Sequence, residues 1–176
     1  MDREWEQRDM KDEELVKLIK GLNEKQCLDM KTLSLYGNTY LTAIPPEIKR
    51  FKNLQQLGVQ GNRIIYSKVA HELSELIHLR RIYFASNLLG NSLKQIPKSI
   101  FSLINLTDIT LSKCKLTYIS PLIGKLVNLE RLCLDENYIA SLPSEIIKFE
   151  KLKYLDLYDN KLPKLFMQNL HNYDLV

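Results

Sequence analysis

The sequence predicts an α/β repeat fold in which short parallel strands and short helical segments alternate along a solenoid. Three observations support this prediction: a leucine pattern recurs along most of the chain, proline-containing segments separate its copies, and an amphipathic segment precedes the first copy. The 176 residues are 45% hydrophobic and 26% charged, which is ordinary for one folded domain.

The pattern L-x-x-L-x-L-x-x-N occurs six times, and successive copies start 23 to 27 residues apart. Its second and third apolar positions alternate with polar residues, which indicates a strand with one buried face. One such strand cannot bury that face alone, so the copies must stack into a continuous core. We expect about six strands, in MKTLSLYGN (30–38), LQQLGVQGN (54–62), LRRIYFASN (79–87), LTDITLSKC (106–114), LERLCLDEN (129–137) and LKYLDLYDN (152–160).

Five copies close on asparagine, and the fourth closes on Cys114. An amide side chain both donates and accepts hydrogen bonds, so it can satisfy backbone groups of its own turn and of the next coil. A thiol does this only weakly, and we expect a locally poorer ladder at Cys114, which we interpret as a small buried hydrophobe. The closing asparagines are Asn38, Asn62, Asn87, Asn137 and Asn160.

Each strand must be followed by a segment that returns along the convex side. Proline suits the first turn of a short helix because it lacks an N–H and fixes its backbone angle, and a coil of about 23 residues has room for one or two turns of 3-10 or α-helix. The second return, Ser67 to Ile77, has a capping serine and helical apolar spacing, which predicts a longer helix. The 27-residue spacing predicts a loop insertion at Gly90-Asn91-Ser92. Prolines occur in the returns 44–48, 96–100, 119–123 and 142–146.

The ends of a solenoid need covering because they expose a hydrophobic coil and a strand edge. We expect residues 1–29 to form an N-terminal capping helix region, 30–160 to hold the six repeats and 161–176 to form a partial repeat or cap. An amphipathic helix that binds a partner is the alternative for the N-terminal segment, and Trp5 is either loosely ordered or an anchor. The apolar residues on which these predictions depend are Leu15, Leu18, Ile19 and Leu22 at one end, and Leu162, Leu165, Phe166 and Leu170 at the other.

The segment LPSEIIKFEKLKYLDLYDNKL (142–162) and the coil length of about 23 residues resemble the leucine-rich-repeat superfamily over residues 30–170, and within it the intracellular Ras-suppressor and Ras-scaffold proteins. LSKCKLTYISPLIGKLVNLERL (111–132) is similar to repeats of plant immune receptors. The resemblance implies a right-handed α/β horseshoe with the strands on its concave side and no cofactor. It also implies an adaptor or scaffold that recognises a protein on its concave face, with a small GTPase or another signalling protein among the possible partners. A pathogen effector that imitates host repeat proteins, and a regulatory subunit of a larger enzyme or ubiquitin-ligase-type assembly, are the alternatives.

Composition excludes several classes. The net charge is +4 with scattered lysines, whereas nucleic-acid binders concentrate basic residues in a patch. Cys27, Cys114 and Cys133 form no C-x-x-C pair, which favours a reducing compartment over disulfides or a zinc site. The first residues lack the apolar core of a signal peptide, and no apolar run approaches the roughly 20 residues of a membrane span. We therefore expect a cytoplasmic monomer without metal or cofactor.

The sequence offers no catalytic constellation. His71-Glu72 begins like the zinc-protease motif H-E-x-x-H, but Glu75 stands where the second histidine must be. Cys133 falls on a strand, yet the pattern places no histidine beside it to act as a base. The single glycines form no phosphate-binding loop. We therefore predict that the protein is not an enzyme.

The same pattern predicts which side chains point outward on the concave face. Tyrosine and arginine, which often anchor interfaces, recur there. The last two coils also gather Asp135, Glu136, Asp156 and Asp159, an acidic corner suited to a basic partner segment. The alternative is a solvated face on which the arginines and Asp108 simply pair with one another. The predicted protein-binding residues are Tyr36, Gln60, Arg81, Tyr83, Asp108, Arg131, Asp135, Tyr154, Asp156, Tyr158 and Asp159.

Overall fold

The computed structural model of the chain describes residues 2–4, 10–65, 68–69, 71–85, 95–163 and 174–175. Within them a single parallel sheet has eight strands in chain order. The six strands predicted from the repeats are confirmed as β2 to β7, and a strand at each end that the repeat pattern did not predict extends the sheet. The strands are β1 (Asp2–Glu4), β2 (Thr32–Ser34), β3 (Gln56–Gly58), β4 (Arg81–Tyr83), β5 (Asp108–Thr110), β6 (Arg131–Cys133), β7 (Tyr154–Asp156) and β8 (Asp174–Leu175).

The core lies between the sheet and the returning segments. The middle residue of each repeat strand is fully buried and stands opposite its counterpart in the next strand, as Leu57 does opposite Ile82. The inward positions Leu57, Val59, Leu155 and Leu157 are all buried, as the alternation predicted. Stacking identical positions in this way gives each coil an apolar neighbour on both sides, which no single coil has alone.

The returning segments contain short 3-10 helices. Pro46 and Pro121 are the first residues of their helices, and Pro97 and Pro143 lie one residue earlier, so the proposed role of proline at the helix start is confirmed. The described 3-10 helices are Pro46–Arg50, His71–Glu75, Lys98–Ser102, Pro121–Lys125 and Ser144–Lys148.

The prediction of a longer helix in the second return is wrong for its described part. His71–Glu75 is a 3-10 helix of five residues, like the others. Lys68 is in 3-10 conformation, but Val69 after it pairs in a parallel bridge with Ile44 of the preceding coil, so the helical part of this return is interrupted two residues before His71. Ser67 and the predicted loop insertion at 90–92 lie outside the described residues, as does Trp5.

Two α-helices precede the first repeat strand, α1 (Asp12–Gly21) and α2 (Glu24–Asp29). Leu15, Ile19 and Leu22 of the predicted apolar face are buried, but Leu18 is 40% exposed, because the face that contacts the first coil is narrower than the sequence spacing suggested. At the other end Leu162 packs against the core, whereas Leu165, Phe166 and Leu170 lie outside the described residues.

Polar contacts fix α1 to the first coil at both of its ends. The Asp12 carboxylate accepts hydrogen bonds from the backbone N–H groups of Thr42 and Ala43, at 2.7 and 3.0 Å. The Arg50 guanidinium donates to the carbonyl oxygens of Ile19 and Leu22 at the far end of the helix. The Ile19 carbonyl also accepts a hydrogen bond from the Leu22 N–H, at 3.3 Å. Because carbonyls in the last turn of a helix lack most of their usual partners, Arg50 supplies donors to both, and its positive charge interacts favourably with the negative end of the helix dipole.

The closing asparagines form the predicted ladder, and Asn137 shows its geometry. Its amide nitrogen donates to the carbonyl oxygens of Leu134 in its own turn and Leu111 in the preceding coil, at 2.7 and 2.9 Å. Its amide oxygen accepts from the backbone N–H groups of Cys114 and Leu116, both at 3.0 Å. The bonds therefore reach the preceding coil, not the next one as the sequence analysis expected, because the amide points back across the stack.

Asn38, Asn62 and Asn160 donate to backbone carbonyls in the same way, and Asn87 lies outside the described residues. At Cys114 the ladder is weaker, as predicted. The sulfur contacts the carbonyl oxygens of Phe84 and Ser112 at 3.4 and 3.5 Å, and a thiol is a weak donor.

A second ladder of asparagines, which the sequence analysis missed, lies in the turns before β3, β5 and β6. Asn53 donates to the carbonyl oxygen of Leu28 at 2.9 Å and Asn105 to that of Ile77 at 2.7 Å. Asn128 continues the series by donating to the carbonyl oxygen of Ile104 at 3.0 Å. Each bond joins neighbouring coils, so these turns are aligned in a row along the stack.

Candidate protein-binding surface

The parallel register places the outward-facing residues of the sheet in three columns that cross the coils. Columns one and two are fixed by strand pairing. Column three follows from backbone hydrogen bonds such as Glu136 N–H to the Tyr158 carbonyl, at 2.8 Å. Column one holds Thr32, Gln56, Arg81, Asp108, Arg131 and Tyr154; column two holds Ser34, Gly58, Tyr83, Thr110, Cys133 and Asp156; column three holds Tyr36, Gln60, Ala85, Ser112, Asp135 and Tyr158.

Column one contains a continuous row of charged and aromatic contacts. Asp108 lies between two arginines, with its carboxylate oxygens 3.8 Å from Arg81 Nε and 3.9 Å from Arg131 Nε. The Arg131 guanidinium also lies over the Tyr154 ring, 4.2 Å from its centroid. The pairing weighed in the sequence analysis as an alternative to binding is therefore present. Because the side chains of Arg81 and Arg131 keep about half of their surface exposed, at 56% and 49%, the pairing leaves both available to a partner.

Column two is less exposed. Burial raises the pKa of the Tyr83 hydroxyl, and the nearby Asp108 carboxylate adds to this shift. Burial likewise raises the pKa of the Cys133 thiol, although a hydrogen bond with Thr110 and the charge of Arg131 oppose it. Both groups are consequently protonated near neutral pH, and a protonated thiol is a poor nucleophile.

The first coils combine an exposed tyrosine with a folded-back glutamine. Tyr36 is 66% exposed. Gln60 bends over Gly58, since a Cβ atom at Gly58 would lie 2.9 Å from Gln60 Oε1. That oxygen is buried and has no hydrogen-bond partner among the described residues, so Gln60 covers the gap that the glycine leaves in column two.

The carboxylates of the acidic corner have different partners. Asp135 accepts a hydrogen bond from the Ser112 hydroxyl, and Glu136 forms an ion pair with Lys113 at 2.9 Å. Asp156 accepts hydrogen bonds from the Tyr154 hydroxyl at 3.2 Å and the Tyr158 N–H at 3.0 Å. Asp159 lies in an exposed turn. The corner thus presents Asp156 and Asp159 beside Tyr158, which is 67% exposed, whereas Glu136 is already neutralised.

The structure places the predicted residues in three groups on one face. Arg81, Tyr83, Asp108, Arg131 and Tyr154 are contiguous in the middle coils. Tyr36 and Gln60 lie at the start of the stack. Asp135, Asp156, Tyr158 and Asp159 lie at its end. The pattern placed Thr110 and Ser112 on this face, but they were not among the predicted binding residues, and Lys113 was missed; these three residues hold or balance the predicted side chains. The repeat alignment carries the signal for Lys113, which precedes Cys114 as Glu136 precedes Asn137.

The described residues include no group of three or more histidine, cysteine, aspartate and glutamate side chains placed to hold a metal ion. Cys27 and Cys114 are buried, Cys133 is half-buried, and all three are free thiols. None of the helices in the described part of the chain has the length and apolar character needed to cross a membrane.

No protein-family model matches the chain. The probable inactive serine/threonine-protein kinase roco10 of Dictyostelium discoideum is 32% identical over 159 residues, which cover 86% of this chain and 6% of that protein. The volume-regulated anion channel subunit LRRC8A of Rattus norvegicus is 32% identical over 165 residues, which cover 78% of this chain and 19% of that protein. The chain therefore spans less than a fifth of the length of these relatives.

Solved structures share the architecture. An internalin of Listeria monocytogenes superposes with a TM-score of 0.65 at 18% identity, covering 84% of this chain and 41% of its own. The plant peptide hormone receptor RGFR1, in complex with RGF2, gives a TM-score of 0.62 at 30% identity and covers 76% of this chain and 21% of its own. The in-register repeats, the parallel sheet, the 3-10 helical returns and these likenesses show that the chain folds as a leucine-rich-repeat solenoid.

Proposed function

We propose that the chain is a non-catalytic, cytoplasmic protein-interaction module, an adaptor or scaffold, that binds a protein partner on the concave face. The three columns carry this proposal, because hydrogen bonding to neighbours on both sides holds their strands rigid and so fixes the side chains before a partner arrives. Pre-positioned tyrosines and arginines lose little conformational freedom on binding. The similar receptor RGFR1, solved in complex with RGF2, supports protein recognition by this fold.

The charges of the columns indicate the chemistry of the partner. Arg81 and Arg131 share one aspartate, so the middle coils carry one unpaired positive charge and favour an acidic or carbonyl-rich segment. Asp156 and Asp159 favour basic residues at the last coils. A segment of mixed charge that lies across the coils, flanked by Tyr36 and Tyr158, fits this arrangement. A small GTPase or another signalling protein is the kind of partner that the family resemblance implies.

The half-buried thiol also supports a non-catalytic role. A nucleophilic cysteine needs a depressed pKa or an adjacent base, whereas burial raises the pKa of Cys133. Its described neighbours on the face include Thr110, Arg131, Asp135 and Asp156, and none of these is a histidine.

The test compares matched pairs of exposed tyrosines. The test variant combines Tyr36→Glu with Tyr158→Glu, both in column three. The control variant combines Tyr40→Glu with Tyr118→Glu, two tyrosines outside the columns that are 53% and 47% exposed. Circular dichroism first establishes that both variants fold. We expect affinity capture from cell lysate to retain a specific protein on the wild type and the control, and the column-three variant to lose it. Equal retention by both variants would place the contact elsewhere, for example at the apolar hollow of about 530 Å³ beside α1.

A further inference from the structure

An apolar stripe, away from the concave face, runs along one edge of the solenoid. Ile77, Ile104 and Val127 occupy the same position in three successive coils, in the turn before the strand. They are 59%, 54% and 60% exposed. Single exposed apolar residues are ordinary, but three in a contiguous row mark an interaction surface. We call these three side chains the edge stripe.

The second asparagine ladder holds the edge stripe in line. Asn105 donates to the Ile77 carbonyl at 2.7 Å and Asn128 to the Ile104 carbonyl at 3.0 Å. The Lys151 ammonium group continues the row by donating to the Asn128 side-chain oxygen at 2.6 Å. Since each bond joins neighbouring coils, the three apolar side chains lie side by side on a rigid backbone.

The residues at the two ends of the row carry opposite charges. Lys52 occupies the same turn position in the coil before Ile77, and its side chain is 51% exposed while pairing with Glu75 at 2.8 Å. Glu150 occupies that position in the coil after Val127 and is exposed. Along the stack the row therefore reads lysine, three apolar residues, glutamate. Such an order is complementary to itself when it is reversed.

We propose that a second copy of this chain docks on the edge stripe with its stack running in the opposite direction. Two-fold symmetry about Ile104 places Ile104 against Ile104, Ile77 against Val127, and Lys52 of each copy near Glu150 of the other. This is the isologous arrangement of a symmetric dimer, in which one patch meets its own copy. It leaves the concave face of both copies open. It differs from the monomer that the sequence analysis expected.

The contact is small. Three half-exposed aliphatic side chains and two ion pairs lie at the low end of specific interfaces, which bury at least about 1,200 Å² in stable complexes. We therefore expect a reversible dimer that is populated at high protein concentration and dissociates on dilution.

Sedimentation velocity of the full chain over a range of concentrations tests the proposal. The wild type should sediment faster as its concentration rises. Ile104→Glu places two carboxylates against each other on the symmetry axis and should weaken association at least about tenfold, because like charges in contact are unfavourable. Tyr40→Glu, at an exposed position off the stripe, should behave as wild type. A wild type that stays monomeric at every concentration, or equal effects of the two variants, overturns the proposal.

A charge exchange tests the opposed orientation. Lys52→Glu and Glu150→Lys should each weaken the dimer, because each sets like charges against one another across the interface. The double variant restores an opposite pair between copies and should recover association, although the contact of residue 52 with Glu75 within each copy stays broken. Folding of each variant is checked by circular dichroism. Additive loss in the double variant would exclude the antiparallel contact.

Discussion

In the five repeats whose closing turn the structure describes, the residue before the closing position adopts a backbone conformation that ordinary side chains disfavour. Gly37 and Gly61 have φ values of 72° and 71°, and Lys113, Glu136 and Asp159 occupy the corresponding turns with φ values of 57°, 52° and 49°. This left-handed region costs about 1–2 kcal/mol for a residue with a Cβ atom. The turn geometry that lets the closing side chain reach its carbonyls therefore imposes a cost wherever glycine is absent.

At this turn position, replacing a glycine should lower stability, and introducing a glycine should raise it. Gly61→Ala should lower the free energy of unfolding by about 1–2 kcal/mol, because the conformation is strained and the new Cβ would lie 3.4 Å from the Gly37 nitrogen. Lys113→Gly should raise the free energy of unfolding by about 1 kcal/mol. Loss of the exposed Lys113–Glu136 ion pair reduces this gain slightly. Urea unfolding followed by circular dichroism measures both. A stabilising Gly61→Ala would contradict this account.

At the scale of the elements, the two asparagine ladders differ in their burial and in the number of backbone groups that each side chain satisfies. The closing ladder is buried, and Asn137 satisfies four backbone groups of two coils there. The second ladder lies at the surface, where water replaces a lost bond. At the first coil, Asp12 of α1 accepts from the Thr42 N–H and Arg50 donates to the Leu22 carbonyl at the end of α1. These contacts join α1 to the first coil and support our proposal that residues 1–29 cap the stack.

Removing the two kinds of asparagine should therefore have unequal effects. Asn137→Ala leaves buried N–H and carbonyl groups without partners and should cost about 3 kcal/mol or more. Asn128→Ala removes exposed bonds and should cost about 1 kcal/mol or less. Cys114→Ala, in the same ladder as Asn137, removes only weak sulfur contacts and should fall between them. Denaturant midpoints at equal m-values give the comparison; equal losses for Asn137 and Asn128 would show that burial does not set the cost.

Much of the fold could be predicted from the sequence, because the apolar residues that define its strands recur periodically. Leu57 and Ile82 were assigned to the core from alternation alone, and the columns follow from the same alignment. The left-handed turn was not predicted, because Gly37 and Gly61 favour it whereas Lys113 at the aligned position gives no such signal. β1 and β8 lack the repeat pattern, since they pair through backbone groups that any sequence provides.

The candidate surface was predictable in position but not in its internal contacts. Alternation placed Arg131 and Tyr154 on one face, and only the register between coils sets the guanidinium over the ring. The sequence did not predict the edge stripe, because Ile77, Ile104 and Val127 are apolar and an apolar residue in a repeat is normally assigned to the core. Their exposure depends on the direction of the turn, which periodicity does not specify.

Across the whole molecule, ion pairs join neighbouring coils outside the sheet. Glu75 pairs with Lys52 at 2.8 Å and Glu130 with Lys153 at 2.7 Å. These lysines hold the pKa of each carboxyl below its usual range, chiefly through a hydrogen bond. The pKa of Glu47 is also lowered, first by a backbone hydrogen bond and then by Lys20 of α1, at 3.2 Å.

Because the folded pKa of these carboxyls lies below the unfolded value of about 4.3, their contribution is present above that pH and is lost as the pH falls through the folded pKa. The free energy of unfolding should therefore decline between about pH 5 and pH 3. Replacing Glu47, Glu75 and Glu130 together by glutamine should lower stability at pH 7 and flatten this decline. The same replacement at Glu13, Glu24 and Glu72, outside these pairs, should leave its slope nearly unchanged. Equal flattening by both triple variants, measured by urea unfolding at each pH, would mean that general charge repulsion and not the coil-to-coil pairs governs the acid response.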